Sequence, residues 1–366
     1  MTKKNVLITG AKGFIGKHVS LWLERHGHTI FKYDLDSTEE ELKDYISKCD
    51  FIVHLAGINR PLTVEEFYDG NVNFTKHLVD LVKEAKKDVP MIFSSSIQAA
   101  LDNDYGKSKK EAEMFLAYSG LTVYIYRLAN VFGKWCRPNY NSASATFSYN
   151  IAHNLPITIR DRDYVVHYNY VEDIAKEFRR VVEGKKTPDT KHINYVDPEY
   201  QCSLGHLADL LYYFKEKVES DEHLPIIHNS FEYKLFISFL DYLSDEGHTF
   251  NFAKDDRGYF EEHFKSKKWG QISSNFAYPN ITKGGHFHEY KNEIFYTIKG
   301  TCEIKQVNRE NKNDIKVDIV SGENPNPVKI LPNYVHTITN IGDGDSITLM
   351  WISEIYSEET ADTYRG

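Results

Sequence analysis

The first half of the chain alternates short apolar runs with longer segments that have helical periodicity. Runs such as NVLIT, FIVHLAG and TVYIYRLA are almost continuously apolar, as expected of strands that are buried on both faces of a sheet. Helical segments such as GKHVSLWLERHG and SKKEAEMFLAYSG lie between the runs. This alternation predicts an α/β domain with a Rossmann-like, doubly wound parallel sheet.

The pattern changes in the second half of the chain. Two amphipathic stretches, LGHLADLLYYFKEKV and FEYKLFISFLDYLSDEG, predict helices. After residue 250, short strands follow one another without a helix, among them QISSNFAYP, EIFYTIKGTCEIKQV and SITLMWISEI, with turns at PNITKGG and NIGDGD. This predicts a C-terminal all-β sandwich or barrel. The boundary is expected between residues 244 and 250, which gives domains of residues 1–246 and 247–366.

Composition narrows the class of protein. A chain of 366 residues can bury two cores, since a single core stops growing at roughly 250 to 300 residues. The formal charge of -9 argues against nucleic acid as the partner, because phosphate binding needs an excess of Lys and Arg. The chain lacks a long apolar run and an export signal, so we expect a cytoplasmic protein without membrane insertion. The four cysteines are widely spaced and are expected to be reduced.

A glycine-rich turn follows the first predicted strand. The sequence GAKGFIG brings three glycines directly before a predicted helix, an arrangement that lets the backbone approach a pyrophosphate at the helix N-terminus. It predicts a nicotinamide-dinucleotide site. The third predicted strand ends in HLAG, where small residues also let the backbone approach the cofactor. The predicted cofactor contacts are Gly10, Gly13, Phe14, Ile15, Gly16, Leu55, Ala56 and Gly57.

Asp34 ends the second predicted strand, about twenty residues beyond the glycine turn. A carboxylate at this position accepts hydrogen bonds from the adenosine ribose, and it repels a 2′-phosphate. Asp34 therefore favours NADH. Lys17 or Lys32 could offset the repulsion, so NADPH stays open as the alternative cofactor.

Tyr105 and Lys109 lie four residues apart at the start of a predicted helix, in DNDYGKSKKEAE, and so share one face. A lysine ammonium beside a phenol is expected to lower the tyrosine pKa from about 10, which makes Tyr105 a general acid and base near neutral pH. Ser96, at the end of the fourth predicted strand, can donate a hydrogen bond to a substrate carbonyl. Asn71, in NVN on the preceding helix, is the predicted orienting residue.

These motifs together resemble the extended short-chain dehydrogenase/reductase family, whose members act on nucleotide-diphosphate sugars. The resemblance covers roughly residues 1–240 and depends on GAKGFIG, HLAG, NVNFT, SSS, YGKSK and RLANVFG. It implies that Ser96, Tyr105 and Lys109 form a catalytic triad, and that Asn130 lies beside the substrate diphosphate. Only eight residues separate Ser96 from Tyr105, fewer than is usual in the family, so a more open active-site mouth is expected.

The segment FGKWCRPNYNSASATF follows these motifs. Its Arg137 can bind a phosphate through two parallel hydrogen bonds, and its aromatic side chains suit a uracil or a sugar face. Lys134 and Arg137 are therefore predicted to bind the substrate, with an ordinary solvated loop as the alternative.

His286 and His288 lie two residues apart on one face of a predicted strand, and Glu293 follows five residues later. His336 comes further on, in LPNYVHTITN. Three imidazoles and a carboxylate form a ligand set for a first-row transition metal, for which Zn²⁺ is the default. The same residues closely resemble the two motifs of the cupins, which implies a metal-binding β-barrel.

The segments DDRG and KGGH resemble the dTDP-4-keto-6-deoxyhexose epimerase branch of the cupins. In that branch the histidine that matches His286 acts as a base, which conflicts with metal binding by the same ring. We favour metal binding by His286, and Tyr296 or Glu303 is then the expected base. The resemblance also implies that Arg257 and Lys283 bind the substrate.

The whole chain is similar to a family of bifunctional capsular polysaccharide enzymes that join these two domains. The resemblance implies a UDP-linked 4-keto-6-deoxy amino sugar as substrate. The cupin domain would epimerise C3 of UDP-2-acetamido-2,6-dideoxy-4-hexulose, and the reductase domain would deliver hydride from NAD(P)H to C4. The product would be UDP-2-acetamido-2,6-dideoxy-L-talose, a precursor of UDP-N-acetyl-L-fucosamine. A homodimer is expected, as is common among cupins.

Two alternatives stay open from the residues alone. The first is a nucleotide-sugar 4-epimerase or plain reductase in which a non-catalytic cupin serves only for dimerisation. The second is a sensor that binds NAD and a sugar nucleotide without turnover.

Overall fold

The computed structural model describes residues 3–220, 224–243, 252–355 and 361–366. The chain forms two compact units, residues 1–211 with 229–244 and residues 212–228 with 245–366. The boundary expected near residue 246 falls within residues 244–251, outside the described residues. Within the described ranges, no helix is both long enough and apolar enough to cross a membrane. The four cysteines are buried and form no disulfide.

Five parallel strands form the central sheet of the first unit. They are β1 (Asn5–Thr9), β2 (Thr29–Tyr33), β3 (Phe51–His54), β4 (Met91–Ser96) and β5 (Val123–Leu128). Their order across the sheet is β2-β1-β3-β4-β5, so the direction of winding reverses between β1 and β3. In an open parallel sheet, ligands bind in the crevice at such a reversal, outside the carboxyl ends of the strands.

Helices cover both faces of this sheet. The helices of the described residues are α1 (Phe14–Arg25), α2 (Glu39–Lys48), α3 (Val64–Tyr68), α4 (Phe74–Glu84), α5 (Asp104–Ala117), α6 (Ala143–Ala152), α7 (Val171–Val182), α8 (Leu204–Glu219) and α9 (Ser230–Phe239). Val6 and Ile8 of β1 belong to the core that α1 and α7 complete. Leu7, between them, belongs to the core that α2, α4 and α5 complete. The doubly wound α/β fold predicted from the sequence is confirmed.

The apolar pattern predicted no element between residues 129 and 200, and the structure forms several there. In addition to α6 and α7, a three-stranded sheet consists of β6 (Asn130–Phe132), β7 (Val165–Tyr170) and β8 (Glu199–Ser203). β7 has the sequence VVHYNY, and its Asn169 is only 2% exposed. The Asn169 side chain accepts a hydrogen bond from the Ala129 N–H and donates one to the Val196 carbonyl. A strand that buries such a hydrogen-bonded polar side chain is not recognised from a pattern of apolar residues.

Antiparallel strands form the second unit. They are β9 (Phe252–Asp255), β10 (Gly258–Ser266), β11 (Gly270–Ala277), β12 (Thr282–Phe287), β13 (Glu293–Lys299), β14 (Thr301–Asn308), β15 (Ile315–Ser321), β16 (Val328–Ile330), β17 (Tyr334–Asn340), β18 (Ser346–Ile352) and β19 (Tyr364–Arg365). One sheet has the order β16-β13-β18-β11-β10-β9 and the other β15-β14-β17-β12-β19. Phe295 and Met350 of the first sheet and Ile304 and Ile338 of the second share one core. The predicted all-β, cupin-like fold class is confirmed.

The segment PNITKGG is not only a turn, as the sequence predicted, because β12 begins within it at Thr282. β9 and β10 were not predicted either. β12 has the sequence TKGGHF, and its Lys283, Gly284 and His286 line a cavity. Polar residues on an inward face remove the apolar alternation by which a half-buried strand is recognised.

Candidate active sites

A cavity of about 570 Å³ opens at the carboxyl ends of the parallel strands in the first unit. Gly10 follows β1, Leu55 follows β3 and Ser96 ends β4, and all three line this cavity. Of the predicted cofactor contacts, Gly10, Gly13, Phe14, Ile15, Gly16, Leu55 and Gly57 line it, whereas Ala56 and Asp34 do not. The structure therefore brings most of the predicted cofactor contacts together at one edge of the sheet.

At the glycine turn, backbone atoms without side chains line this first cavity. Gly10 has a φ of 71°, and a Cβ there would lie 2.8 Å from the Ala56 nitrogen. A Cβ on Gly16 would lie 2.1 Å from the Gly10 carbonyl oxygen. α1 begins at Phe14 with no side-chain cap on Gly13 and no acidic residue in its first turn. Its uncapped N–H groups suit an anion such as a pyrophosphate.

Asp34 is bound to the glycine turn. Its carboxylate accepts hydrogen bonds from the Lys12 N–H at 2.7 Å and from the Leu35 N–H at 2.9 Å. The Lys12 side chain forms an ion pair with Asp36. Lys12 and Lys17 line the first cavity. The Asp34 carboxylate and the side chains of Lys12 and Lys17 therefore belong to the segments around the glycine turn.

Ser96, Tyr105 and Lys109 line the same cavity as the glycine turn. Burial raises the pKa of Tyr105 to about 12, and a hydrogen bond with Ser96 opposes the rise. The predicted net lowering of the Tyr105 pKa is therefore wrong, because the effect of burial is larger than the effects that oppose it. The phenol keeps its proton at neutral pH.

Lys109 is 4% exposed and faces the β4 backbone. Its Nζ donates to the Ser94 carbonyl at 3.0 Å and lies 5.0 Å from the centroid of the Phe93 ring. Burial lowers the pKa of Lys109 to about 8, while the charge of Glu113 raises it. The ammonium is the predominant form at neutral pH.

Asn71 lies in a π-helical segment, Asp69–Asn73, between α3 and α4. Its Oδ1 accepts from the Ile58 N–H at 2.9 Å, and its Nδ2 donates to the Ile58 carbonyl at 2.9 Å and to the Ser108 Oγ at 3.0 Å. The Ser108 hydroxyl in turn donates to the Tyr105 carbonyl at 2.8 Å. Asn71 does not line the cavity. It orients the loop after β3 and the start of α5.

The loop after β6 also lines the first cavity. Asn130 and Arg137 line it, as predicted, and Lys134 does not. The Lys134 carbonyl instead contacts the Nε2 of His18 at 3.0 Å. The Arg137 guanidinium lies 5.2 Å from the centroid of the Tyr140 ring, which also lines the cavity. Trp135 and Tyr140, two of the aromatic side chains that the sequence assigned to a uracil or sugar face, also line it. The fold adds Asn141, Ser142 and Gln98 to this lining.

A second cavity, of about 530 Å³, lies in the β unit. His286, His288, Glu293 and His336 line it, and their ligand atoms lie within 4.8 Å of one another. His286 on β12 pairs with His336 on β17, and Glu293 reaches the cluster from β13 in the other sheet. The structure therefore brings the predicted four-residue set together from both sheets.

Within this set of four residues, buried nitrogen and oxygen atoms with free lone pairs lie close to one another. The Nδ1 of His288 donates to the Asp362 carbonyl at 2.5 Å, and its Nε2 lies 3.2 Å from Glu293 Oε1. The Nε2 of His336 lies 3.4 Å from Glu293 Oε2. Among the described residues, these two Nε2 atoms and Glu293 Oε2 are buried without a hydrogen-bond partner. Burial lowers the pKa of His336 to about 4, so its ring is neutral. Such a set fits a cation.

Neither predicted base lines the second cavity. Glu293 and Phe295 of β13 line it, so the strand alternation directs Tyr296 to the opposite face. In β14, Glu303 lies between Cys302 and Ile304, which are buried in the core, and so it also faces away. The predictions of Tyr296 and Glu303 as the base are therefore wrong.

Arg257 and Lys283 line this second cavity, not the first. Arg257 forms an ion pair with Asp255 at 2.6 Å, and the Lys283 Nζ donates to the Phe276 carbonyl at 2.9 Å. Burial lowers the pKa of Lys283. The predicted substrate-binding residues thus belong to two different cavities.

Comparison with protein families gives a match in each half of the chain. Residues 6–195 match the NAD dependent epimerase/dehydratase family. Residues 253–364 match the polysaccharide biosynthesis C-terminal domain. The two matches cover the two cavities separately.

Known proteins similar to the whole chain combine both halves. The UDP-2-acetamido-2,6-beta-L-arabino-hexul-4-ose reductase of Pseudomonas aeruginosa is 37% identical and aligns with 98% of this chain and 97% of its own. The crystal structure of the capsular polysaccharide assembling protein CapF from Staphylococcus aureus has a TM-score of 0.86 and 41% identity over 99% of both chains. The UDP-glucose 4-epimerase of Thermus thermophilus, solved with NAD, shares the fold alone, with a TM-score of 0.52 and 16% identity over 65% of this chain and 98% of its own. The predicted resemblance to capsular polysaccharide enzymes is confirmed.

Proposed function

The chain belongs to the NAD dependent epimerase/dehydratase family, and from that premise we propose that it is a bifunctional enzyme of UDP-linked keto sugars. Its substrate is UDP-2-acetamido-2,6-dideoxy-4-hexulose, which it epimerises at C3 and reduces at C4 with NAD(P)H. The product is UDP-2-acetamido-2,6-dideoxy-L-talose, a precursor of UDP-N-acetyl-L-fucosamine. One observation carries the proposal: the uncapped N-terminus of α1 lines the same cavity as Ser96, Tyr105 and Lys109. The 37% identity to a reductase of such a ketose supports it.

The residues of the first cavity suit the reductive direction. A bound nicotinamide supplies the hydride. Tyr105 keeps its phenolic proton, because burial raises its pKa to about 12, and gives that proton to the C4 oxygen as the ketone becomes an alcohol. The Ser96 hydroxyl donates a hydrogen bond to the same oxygen. The Lys109 ammonium holds the ribose of the cofactor and stabilises the tyrosinate that remains.

Both forms of the cofactor are compatible with the residues around the glycine turn. The Asp34 carboxylate, at the end of β2, suits the free ribose hydroxyls of NADH. Lys12 and Lys17, which line the cavity, suit the 2′-phosphate of NADPH. The rates of reduction with NADH and with NADPH distinguish the two cofactors.

The second cavity is proposed to carry the epimerisation. The 4-keto group acidifies the C3 hydrogen, so a base can form an enolate and a proton can return on the opposite face. His286, His288, Glu293 and His336 would hold a divalent metal, with Zn²⁺ as the default for this set. Such a metal would act as a Lewis acid toward an oxygen of the sugar. Arg257 and Lys283, on the wall of the same cavity, would bind the substrate.

The homodimer expected from the sequence remains a proposal. Ile294 of β13 and Trp351 of β18 are neighbours in register, and they are 38% and 37% exposed. They lie on the face of their sheet that is turned away from the second cavity. An exposed apolar sheet face of this kind supports association with a second copy.

The proposed function is tested by NMR of the UDP-4-keto sugar in heavy water. We expect deuterium to enter C3 without cofactor, and a chelator to abolish this exchange. Addition of NADPH or NADH should then convert the ketone to the alcohol, and the two rates identify the cofactor. Reduction without any C3 exchange would indicate a plain reductase with a non-catalytic second unit. Absence of both reactions with bound NAD would indicate a sensor.

Tyr105→Phe separates the two reactions. Because it removes the proton donor, it should reduce NAD(P)H oxidation by at least about 100-fold, the usual contribution of a general acid. Deuterium uptake at C3 should continue. Tyr118→Phe is the matched control, since Tyr118 caps the other end of α5 and is 88% exposed. Loss of both reactions in Tyr105→Phe would contradict two independent sites.

A further inference from the structure

Glu113 is a buried carboxylate behind the first cavity to which the reduction described above gives no role. Tyr105, Lys109 and Glu113 are spaced by four residues on α5, so they follow one another along one face of the helix. Glu113 is only 3% exposed. Burial of an unpaired carboxylate is costly, so a charge in this position depends on close partners.

Two neighbouring strands supply hydrogen-bond partners, and the Nζ of Lys110 on α5 lies 3.7 Å from Glu113 Oε2. The Ser95 hydroxyl donates to Glu113 Oε1 at 2.6 Å. Arg127 donates from Nε to Oε1 at 2.8 Å and from Nη2 to Oε2 at 2.7 Å. Ser95 of β4 and Arg127 of β5 are opposite each other in the sheet register. Glu113 therefore connects α5 to the carboxyl ends of β4 and β5 through charge-assisted hydrogen bonds.

Lys109 is bound to the residue next to Ser95. Its Nζ donates to the Ser94 carbonyl at 3.0 Å, while Glu113, one helical turn further on, binds the Ser95 hydroxyl. The ammonium and the carboxylate are thus attached to consecutive residues of β4. Burial lowers the pKa of Lys109 to about 8, and the charge of Glu113 works against that lowering.

The other groups that face Lys109 carry no charge at neutral pH. His54 of β3 is fully buried and has its pKa lowered to about 3, so its ring is neutral. Tyr105 has its pKa raised to about 12, so its phenol is neutral. Asn71 and the Phe93 ring do not titrate. In the part of the chain that the structure describes, Glu113 is therefore the carboxylate that supports the charge of Lys109.

We propose that Glu113 is a positioning residue for the reduction: held by Ser95 and Arg127, it keeps the Lys109 ammonium charged and directed at the edge of β4. The inference rests on the proposed function, because it concerns the lysine that serves the reduction. Loss of the Glu113 charge makes Lys109 release its proton at lower pH. The neutral amine no longer stabilises the tyrosinate that forms as Tyr105 gives up its proton.

The pH profile of kcat/KM for NAD(P)H-dependent reduction tests this role. In the wild type, activity should fall as the pH rises through about 8, the pKa of Lys109. In Glu113→Gln, the fall should move to lower pH by about one unit, the usual effect of a nearby opposite charge. Glu113→Asp keeps the charge and should restore most of the profile. A merely structural role would lower activity equally at every pH.

The matched control is Glu177→Gln. Glu177 is a second buried glutamate of the same unit, and it accepts a hydrogen bond from the Tyr126 hydroxyl at 2.8 Å. It lies on α7, whose core packs on the opposite face of the sheet from that of α5. Its variant should have reduced stability and an unshifted profile. An equal shift in Glu177→Gln would overturn the role of Glu113.

A second variant covers the case in which Glu113→Gln does not fold. The double variant Glu113→Gln with Arg127→Met removes both charges of the ion pair, which proteins tolerate better than the loss of one partner. It should show a downward shift that is smaller than in Glu113→Gln, because the positive charge of Arg127 is lost as well. An unshifted profile in either folded variant would overturn the proposal.

Direct titration of Lys109 separates this proposal from the proposed function. In protein labelled with 13Cε-lysine, the Lys109 resonance is assigned with Lys109→Arg and followed against pH without substrate. Its midpoint should fall in Glu113→Gln and stay unchanged in Glu177→Gln. If the wild type does not reduce the keto sugar, the proposed function fails, and this titration still decides the role of Glu113. An unchanged midpoint in Glu113→Gln would overturn it.

Discussion

At the scale of single residues, burial moves the ionisable groups of both cavities toward their neutral forms. It raises the pKa of Tyr105 to about 12 and lowers that of Lys109 to about 8. A phenol that keeps its proton suits reduction, because the carbonyl oxygen must gain a proton. In the second cavity, burial lowers the pKa of His336 to about 4. Its neutral ring keeps a lone pair for a cation at neutral pH.

The variant His288→Ala tests the proposed metal ligands of the second cavity. His288→Ala removes the Nε2 that lies 3.2 Å from Glu293 Oε1. Metal affinity should fall by at least about 100-fold, since even the loss of an outer-shell partner costs 10- to 100-fold. Metal content by mass spectrometry and deuterium uptake at C3 measure the effect. His263→Ala is the control, because His263 bonds to Ser274 and does not line the cavity. Retention of a full metal equivalent in His288→Ala would refute the ligand assignment.

At the scale of elements, each site depends on the position and the pairing of its helices and strands. α1 starts at Phe14 without a side-chain cap, so its N–H groups are available to a ligand. α5 carries Tyr105 and Lys109 four residues apart, on the face that packs toward β4. In the β unit, the pairing of β12 with β17 brings His286 beside His336. The orientation of each chemical group thus follows from the element that carries it.

Gly16→Ala tests how closely α1 must approach the first strand. The new Cβ would lie 2.1 Å from the Gly10 carbonyl oxygen, a backbone atom that cannot rotate away. The helix must shift, which should lower the free energy of unfolding by about 1–3 kcal/mol and weaken NAD(P)H binding by about tenfold or more. Thermal melting and cofactor fluorescence measure both. Gly344→Ala, with open space around the new Cβ, should change neither. Wild-type cofactor affinity in Gly16→Ala would disprove the predicted pyrophosphate site.

At the scale of the whole molecule, the described residues that line each cavity belong to one compact unit. The residues that line the first cavity belong to residues 10–142, and those that line the second belong to residues 253–363. Among the described residues, neither lining set includes a residue of the other unit. The two proposed reactions therefore need no shared side chain, and the substrate of one is the product of the other.

Two inactive variants should consequently complement each other in solution. Tyr105→Phe should epimerise the keto sugar without reducing it. His288→Ala should retain the reductase site but lack one of the four proposed metal ligands. A mixture of the two proteins should form the doubly converted product, because the epimerised ketone can leave one molecule and bind another. Chromatography of the UDP-sugars measures the product. A mixture that forms no more product than either variant alone would show that the intermediate is not exchanged.

The amino-acid sequence by itself determined the fold class of both halves and most of the chemical groups. Alternating apolar runs and helical segments predicted the parallel sheet, because buried strands and amphipathic helices have different periods. The glycine turn, the spacing of Tyr105 and Lys109 and the His286 to His288 pair are local patterns. A local pattern is visible in sequence because neighbouring residues share one element and therefore one face.

Only the tertiary structure decided how those groups behave. The burial that raises the pKa of Tyr105, and the contacts of Glu113 with Ser95 and Arg127, come from strands distant in sequence. The alternation of strands around the second cavity turned Tyr296 and Glu303 away from it. Solvation and the distance between charges depend on segments that meet only in the folded chain, so no spacing along the sequence determines them.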